Sequence, residues 1–240
     1  QQVARFTRAC WYDRAGYGWS DPGPFPQHSD RIAHDLHALL HAARVLPPYL
    51  LVAHGMGAFH ARVFHGFYPR ETFGLVLIDP VNEDMTIHIH NHIEFFRPFV
   101  VRVFETIGAF GGWRLFADEP RSAPPGYSLE EWKTIAMLNG QTKSNATMPK
   151  EPPLWIDGEL ARASGKMGSI PLIVLSGARP GPVADEKLED HELTLRLNRQ
   201  LAAQSARGLW WSVDARQNRM RFEAPAVIAS AVKRAWRSVP

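Results

Sequence analysis

Four short, mainly apolar runs constrain the fold of this chain more than any other feature. They occupy residues 49–53, 74–78, 170–175 and 209–213. Near-continuous apolar runs are typical of strands that are covered on both faces, whereas strands with one solvated face alternate between apolar and polar residues. The four runs therefore predict a mostly parallel sheet that is buried between two layers.

Segments with helical periodicity alternate with these runs. Ser29 is a candidate N-cap, and apolar residues recur at helical spacing after it until Pro47 and Pro48 stop the helix. A second periodic segment follows Gly57, and a third covers about residues 224–236, with a proline near its first turn. Alternating strands and helices predict an α/β fold with helices on both faces of the sheet.

Two segments depart from this alternation. An apolar run at 7–12 predicts an additional strand, followed by a glycine-rich structured loop at 13–23. Residues 85–165 contain a second helical segment at 129–138, preceded by an apolar helical stripe made of Phe96, Val100, Val103 and Ile107. We therefore divide the chain into a first part of the core at 1–84, a helical insertion at 85–165 and a second part of the core at 166–240.

Composition excludes several classes of protein. The chain has 240 residues, of which 45% are hydrophobic, enough for one domain with a sizeable core. Its 27 basic and 24 acidic residues give a net charge of +3, and the basic residues are scattered, which argues against a nucleic-acid partner. The most apolar long stretch, 95–113, contains Arg97, Arg102 and Glu105, so no transmembrane segment is predicted. A single cysteine, Cys10, is typical of an intracellular, reducing compartment.

Three segments together resemble the α/β-hydrolase superfamily, in particular its esterase-like and peptidase-like members. They are Tyr-Asp-Arg-Ala-Gly-Tyr-Gly-Trp-Ser-Asp at 12–21, Leu-Val-Ala-His-Gly-Met-Gly at 51–57 and Gly-Leu-Val-Leu-Ile-Asp-Pro at 74–80, and the resemblance extends through 222–227. The resemblance implies the α/β-hydrolase fold over nearly the whole chain. It also implies that residues 85–165 form the cap over a substrate pocket.

The same resemblance locates a catalytic triad whose key members are absent. The family's G-x-S-x-G turn holds a nucleophilic serine, and here Gly55 occupies that position without any oxygen or sulfur. The histidine position ahead of the final helix is Asn218, whose amide cannot act as a general base near neutral pH. Asp79 and Asp185 are both candidates for the acid, and His191 on a predicted helix is a poor substitute base.

The resemblance further implies that the family's third strand, an interior strand of the sheet, would precede Gln1. An unfilled gap would leave two rows of backbone groups unpaired in the core, at about 1 to 3 kcal/mol for each group. We therefore expect the N-terminal strands to come from another polypeptide or from upstream sequence. The same absent segment would supply the second oxyanion N–H group.

The main functional hypothesis is a catalytically inactive hydrolase-like protein that serves as a structural or interaction subunit of a larger protein assembly. One alternative is an esterase-like hydrolase with a non-standard site that uses Asp79, His54 or a cofactor. Another is a small-ligand-binding protein that keeps the cap pocket. The chain's pI of about 9.2 and its scattered arginines are compatible with a mitochondrial location.

The remaining candidate residues favour structural interpretations, and no cofactor or metal site is predicted. His88, His90 and His92 could ligate a metal, but a solvated polar turn is the favoured interpretation because no cysteine joins them. Cys10 in an apolar run predicts a buried, inert thiol. His54, just before the turn at Gly55, predicts a buried histidine whose ring nitrogens have hydrogen-bond partners.

Overall fold

A computed structural model describes residues 2–85, 99, 102–103, 106–107, 121–147, 151, 153–181 and 188–238. The chain divides into two compact units. The first consists of Gln1–Ala9, Ser29–His88 and Leu154–Pro240, and the second of Cys10–His28 and Ile89–Pro153. We describe each unit by itself.

The first unit contains a four-stranded sheet in which every neighbouring pair is parallel. Its strands follow one another in chain order across the sheet, namely β1 (Tyr49–His54), β2 (Thr72–Ile78), β3 (Pro171–Arg179) and β4 (Arg207–Arg216). All four predicted apolar runs are strands. The predicted mostly parallel sheet is therefore confirmed.

Eight α-helices have defined bounds within the described residues. They are α1 (Ser29–Ala42), α2 (Gly57–Phe67), α3 (Leu129–Asn139), α4 (Thr142–Thr147), α5 (Leu154–Ala163), α6 (Leu188–Ala202), α7 (Met220–Glu223) and α8 (Pro225–Trp236). The predicted helices after Ser29, after Gly57 and at 224–236 correspond to α1, α2 and α8. Pro225 is the first residue of α8, where its missing N–H group costs nothing.

The core of the first unit lies on both faces of the sheet. Val76 and Ile78 of β2 pack on one face with Ala231 and Val232 of α8. The alternate residues of β2, Leu75 and Leu77, pack on the other face with Ala58 of α2 and Leu201 of α6. Burial of each such leucine contributes about 1.5 to 3 kcal/mol. Helices on both faces explain why the sequence of β2 is apolar throughout.

The prediction of a strand at 7–12 is wrong. Residues 8–12 form neither helix nor strand. The Thr7 N–H group instead donates a hydrogen bond to the Val3 carbonyl at 3.2 Å. Cys10 is exposed, so the expectation of a buried thiol is wrong as well. An apolar run becomes a strand only when a neighbouring strand accepts its backbone hydrogen bonds, and no such neighbour is present among the described residues.

The second unit contains the glycine-rich loop and the helices α3 and α4. The Asp13 carboxylate accepts a hydrogen bond from the Trp19 N–H group at 3.0 Å, and Gly16 and Gly18 have φ angles of 83° and 51°. These contacts fold the loop into a defined turn, as predicted from its glycines. In α3, Ser128 and Glu131 form a reciprocal capping box at the N-terminus.

Parts of the predicted insertion lie outside the described residues. Phe96 and Val100 of the predicted stripe are among them, whereas Val103 and Ile107 are helical. The boundaries at 1–84, 85–165 and 166–240 stay a prediction, and α5 groups with the first unit although it falls within 85–165. Among the described residues, no helix has both the length and the apolar character that a bilayer crossing requires.

Candidate functional site

The carboxyl ends of β1, β2 and β3 meet at one edge of the sheet, where ligands bind in open α/β sheets. The parallel pairing continues just beyond the strands. The Gly55 N–H group donates to the Ile78 carbonyl at 3.0 Å, and the Asp79 N–H group donates to the Leu175 carbonyl at 2.8 Å. Gly55 and Asp79 are therefore held at the same edge by backbone bonds.

Gly55 forms a sharp turn between β1 and α2. Its φ angle is +56°, in the left-handed region that glycine adopts without steric cost. Its carbonyl accepts hydrogen bonds from the N–H groups of Ala58 at 3.1 Å and Val81 at 3.2 Å. A Cβ atom at Gly55 would meet no described atom within 4 Å. The turn therefore faces open space that a side chain could occupy, and glycine supplies none.

Asp79 and Asn218, predicted as vestigial triad positions, are in direct contact. The Asp79 carboxylate is buried and accepts hydrogen bonds from the N–H groups of Gly177 at 2.7 Å and Asn218 at 2.9 Å. Asn218 has a φ angle of 61°, which asparagine tolerates better than most residues. The contact uses the backbone of Asn218, where a catalytic histidine would use its ring. Asp185, the other candidate acid, lies outside the described residues.

His54, the last residue of β1, carries a ring nitrogen without a partner. Its Nε2 atom is buried and has no hydrogen-bond partner among the described residues. The expectation that both ring nitrogens have partners is therefore wrong for Nε2. Burial, followed by the positive charge of Arg221, lowers the pKa of His54. This shift favours the neutral imidazole, and His54 lies immediately before the turn at Gly55.

Two other side chains near this edge already have hydrogen-bond partners. The ring of His191 on α6 is held by the Gln217 side-chain oxygen at 2.9 Å from Nδ1 and by the Ala178 carbonyl at 3.2 Å from Nε2. Ser176 on β3 is buried, and its hydroxyl oxygen accepts hydrogen bonds from Asn198 and Trp210 at 3.1 and 3.0 Å. Both side chains are therefore held by hydrogen bonds within the described part of the chain.

Metal-ligating side chains come together at a different place from the one weighed in the sequence. His88, His90 and His92 lie outside the described residues. Within the described part of the chain, His37, His41 and Glu71 form one group that could hold a metal ion. The two histidines are four residues apart, a spacing that places them on one helix face, but Glu71 is distant in sequence and pattern reasoning did not connect it.

Comparison with solved structures confirms the α/β-hydrolase fold. The chain superimposes on a hydrolase of Pseudomonas aeruginosa PA01 with a TM-score of 0.59 and 17% identity, over 98% of this chain and 82% of that one. The enol-lactonase of Burkholderia xenovorans LB400 gives 0.57 and 17%, over 92% and 78%. An α/β-hydrolase-fold protein of Burkholderia ambifaria gives 0.59 and 19%, over 92% and 78%. Identities this low show a shared fold and no more.

Sequence relatives match only part of the chain. An uncharacterized protein of Schizosaccharomyces pombe is 40% identical over 73 residues, which are 30% of this chain and 14% of that protein. YqjL, an uncharacterized protein of Bacillus subtilis, is 38% identical over 73 residues, 30% and 29% of the respective lengths. The matches thus cover less than a third of either relative. No family model matches the chain.

Proposed function

We propose that this chain is a catalytically inactive protein of the α/β-hydrolase fold that serves as an interaction subunit of a larger protein assembly. The observation that carries the proposal is the turn after β1. Gly55 keeps a φ angle of +56° and faces open space, yet it offers no atom that could attack a carbonyl. Because the residue at this turn has no nucleophilic side chain, it cannot form an acyl intermediate.

The loop before α8 supports the same conclusion from the other side of the site. Asn218 stands where the resemblance implies the catalytic histidine, and its backbone N–H group is bonded to Asp79. An amide side chain has no proton affinity near neutral pH and cannot activate a nucleophile. Loss of nucleophile and base together removes the main chemical contributions to serine hydrolysis.

The interaction role is supported by the outer side of β1. This strand is one edge of the described sheet, and no described strand pairs with its outer side. Val52 is 47% exposed. Its neighbour in the β1–β2 register, Val76, is fully buried in the cluster that includes α8. An apolar edge strand with an uncovered valine is a template for pairing. We propose that another polypeptide adds a strand beside β1 and covers Val52.

An esterase assay tests the loss of catalysis. The purified chain should hydrolyse p-nitrophenyl acetate no faster than the heat-denatured chain at the same concentration. Gly55→Ser, Asn218→His and the double variant should be compared with it, since the open space at Gly55 accommodates a serine side chain. Enzymatic turnover by the unaltered protein that saturates with substrate would contradict the proposal.

Site-specific photo-crosslinking tests the interaction role. A photoreactive amino acid at position 52 should crosslink to another polypeptide in the native cell, whereas the same group at exposed Gln200 on α6 should not. With the photoreactive group at the neighbouring position Leu50 instead, Val52→Lys should abolish the crosslink, because a charge would be buried on binding, while Val52→Thr should retain it. A folded monomer that yields no crosslink at position 52 would exclude this role.

A second candidate function, an esterase-like activity with a non-standard site, is favoured by one observation. The buried Nε2 atom of His54 has no hydrogen-bond partner among the described residues. His54 directly precedes Gly55, which faces open space. If His54 supplied a nucleophile or base, His54→Gln would abolish the ester hydrolysis. Gly55→Ala would retain the hydrolysis that depends on His54. Thermal stabilisation by a small molecule without turnover would indicate instead a ligand-binding role. The mitochondrial location stays a prediction from composition.

A further inference from the structure

Three side chains with metal-ligating atoms converge at the end of the sheet where β2 begins, opposite to the candidate site. His37 and His41 lie one turn apart on α1, and Glu71 immediately precedes β2, whose far end leads to Asp79. His37 Nε2 is 3.1 Å from Glu71 Oε1 and 3.1 Å from His41 Nε2. His41 Nε2 is 3.7 Å from Glu71 Oε2. The three side chains thus offer ligand atoms that all lie within 4.8 Å of one another.

The spacing of these atoms fits a tetrahedral metal centre. Zinc binds imidazole nitrogen and carboxylate oxygen at about 2.0 to 2.2 Å, so two ligand atoms on one tetrahedral ion lie about 3.3 to 3.6 Å apart. His37 Nε2 lies 3.1 Å from both His41 Nε2 and Glu71 Oε1, within a few tenths of an ångström of that range, and the second carboxylate oxygen lies 3.7 Å from His41 Nε2. Three ligands from two histidines and one glutamate are also a donor set that zinc-class ions prefer.

The ligands are held in place by their neighbours. The ring of His37 stacks on Tyr68 with centroids 3.8 Å apart and an angle of 2° between planes, and the Tyr68 hydroxyl pairs with His34 Nδ1 at 2.7 Å. The backbone of Glu71 is fixed as well, because its N–H group donates to the Tyr68 carbonyl at 3.0 Å and its carbonyl accepts from Tyr49 at 2.6 Å. Such outer contacts orient metal ligands before an ion binds.

Without an ion, the group is incompletely satisfied. Two imidazole nitrogens face each other, so one of them must supply a proton to the other. The buried Oε2 atom of Glu71 has no hydrogen-bond partner within the described part of the chain. A divalent cation would bind both nitrogens and the carboxylate together, which no single proton can do.

We propose that His37, His41 and Glu71 bind one divalent transition-metal ion of the zinc class. The side chain of His41 is 57% exposed, so the fourth coordination position opens to solvent and is available to water. The ion would link the C-terminal half of α1 to the turn that precedes β2. This site lies at the opposite end of β2 from Asp79, and it stands or falls independently of the proposed function.

Cobalt binding tests the site with a spectroscopic signal. Protein made without a polyhistidine tag and freed of metal should bind one Co²⁺ per chain, with the intense visible absorption of tetrahedral cobalt, and Zn²⁺ should displace it. His37→Gln, His41→Gln and Glu71→Gln should each weaken binding by at least about tenfold. The matched control is Asp35→Asn on the same helix, whose exposed carboxylate pairs with Arg31 and not with the ligands, and which should change the affinity by less than about twofold.

Thermal unfolding provides a second readout that does not depend on the cobalt spectrum. Saturating Zn²⁺ should raise the melting temperature of the unaltered protein and of Asp35→Asn, but not of the three ligand variants. Circular dichroism of each metal-free variant checks that it is folded. The proposal is overturned if Co²⁺ binding does not saturate at one ion per chain. It is equally overturned if folded ligand variants bind the ion as tightly as the unaltered protein.

Discussion

The carboxylate of Asp79 accepts a hydrogen bond from the backbone N–H group of Asn218 at 2.9 Å, across 139 positions of sequence. Its other oxygen accepts from the N–H group of Gly177 at 2.7 Å. One buried carboxylate thus joins the end of β2 to β3 and to the loop that precedes α7 and α8. This residue therefore has a structural task that does not depend on catalysis.

Replacement of Asp79 therefore destabilises the fold. Asp79→Ala should lower the free energy of unfolding by about 2 to 4 kcal/mol, because the N–H groups of Gly177, which is buried, and Asn218 lose a charged acceptor. Asp79→Asn should cost less, since one amide oxygen can still accept. Urea denaturation measures both values, and Asp214→Ala, at a side chain that is 94% exposed, is the control. An unchanged midpoint for Asp79→Ala would show that the carboxylate does not brace the loop.

Two glycines at the same sheet edge should respond to alanine for different reasons. At Gly55 the added Cβ meets no described atom within 4 Å, so the cost is backbone strain from a φ angle of +56°, about 1 to 2 kcal/mol. At Gly177 the Cβ would lie 2.6 Å from the Gln217 nitrogen. That overlap forces the backbone apart and should cost more than Gly55→Ala. Thermal unfolding of both variants ranks them, and the reverse order would disprove the open space at Gly55.

Removing one partner of the buried ion pair between Arg62 on α2 and Glu83 should destabilise the fold strongly. Replacing both partners with apolar residues should destabilise it much less. Its two hydrogen bonds measure 2.6 and 2.8 Å, and Arg62 is 1% exposed. Burial by itself raises the pKa of Glu83, but the hydrogen bonds and charge of Arg62 outweigh it and hold that pKa below its usual value. Arg62→Ala removes both of these hydrogen bonds and the nearest positive charge from the buried Glu83 carboxylate, and should cost about 3 to 5 kcal/mol.

The double variant Arg62→Met, Glu83→Leu is the matched control for that prediction. It removes both charges and fills similar volume, so its stability should recover most of the loss. Urea midpoints of Arg62→Met, Glu83→Leu and the double variant complete the cycle. If the double variant loses as much stability as the sum of these two single variants, the loss comes from packing and not from the broken ion pair.

Stability should fall with acidification below about pH 6.5 because of two histidines. Burial lowers the pKa of both His54 and His65 from the ordinary value of 6.5. Between the lowered value and 6.5, the unfolded chain binds more protons than the folded chain, so stability rises with pH across that window. Full stabilisation is present above 6.5 and is lost as pH falls. Urea midpoints at pH 7.5 and 5.5 measure the difference, which His54→Gln with His65→Gln should reduce.

Local patterns in the sequence located most of the fold. The apolar run at 74–78 is buried on both faces as β2, and the periodic segment that begins at Pro225 is α8. The strand prediction for 7–12 is wrong because a local pattern does not reveal whether a neighbouring strand exists to accept its hydrogen bonds. Cys10 is exposed for the same reason, since burial depends on a packing partner that residue type cannot specify.

Sequence by itself determined the chemistry that positions 55 and 218 lack, because glycine and asparagine have no group that attacks a carbonyl or takes up a proton at neutral pH. Tertiary structure alone decided what the surrounding residues do instead. It joined Asp79 to the backbone of Asn218, left Nε2 of His54 without a partner among the described residues, and brought Glu71 to His37 and His41. The physical reason is distance along the chain: composition and periodicity report local backbone preference, whereas hydrogen bonds and metal ligation depend on atoms that only folding brings within about 4 Å.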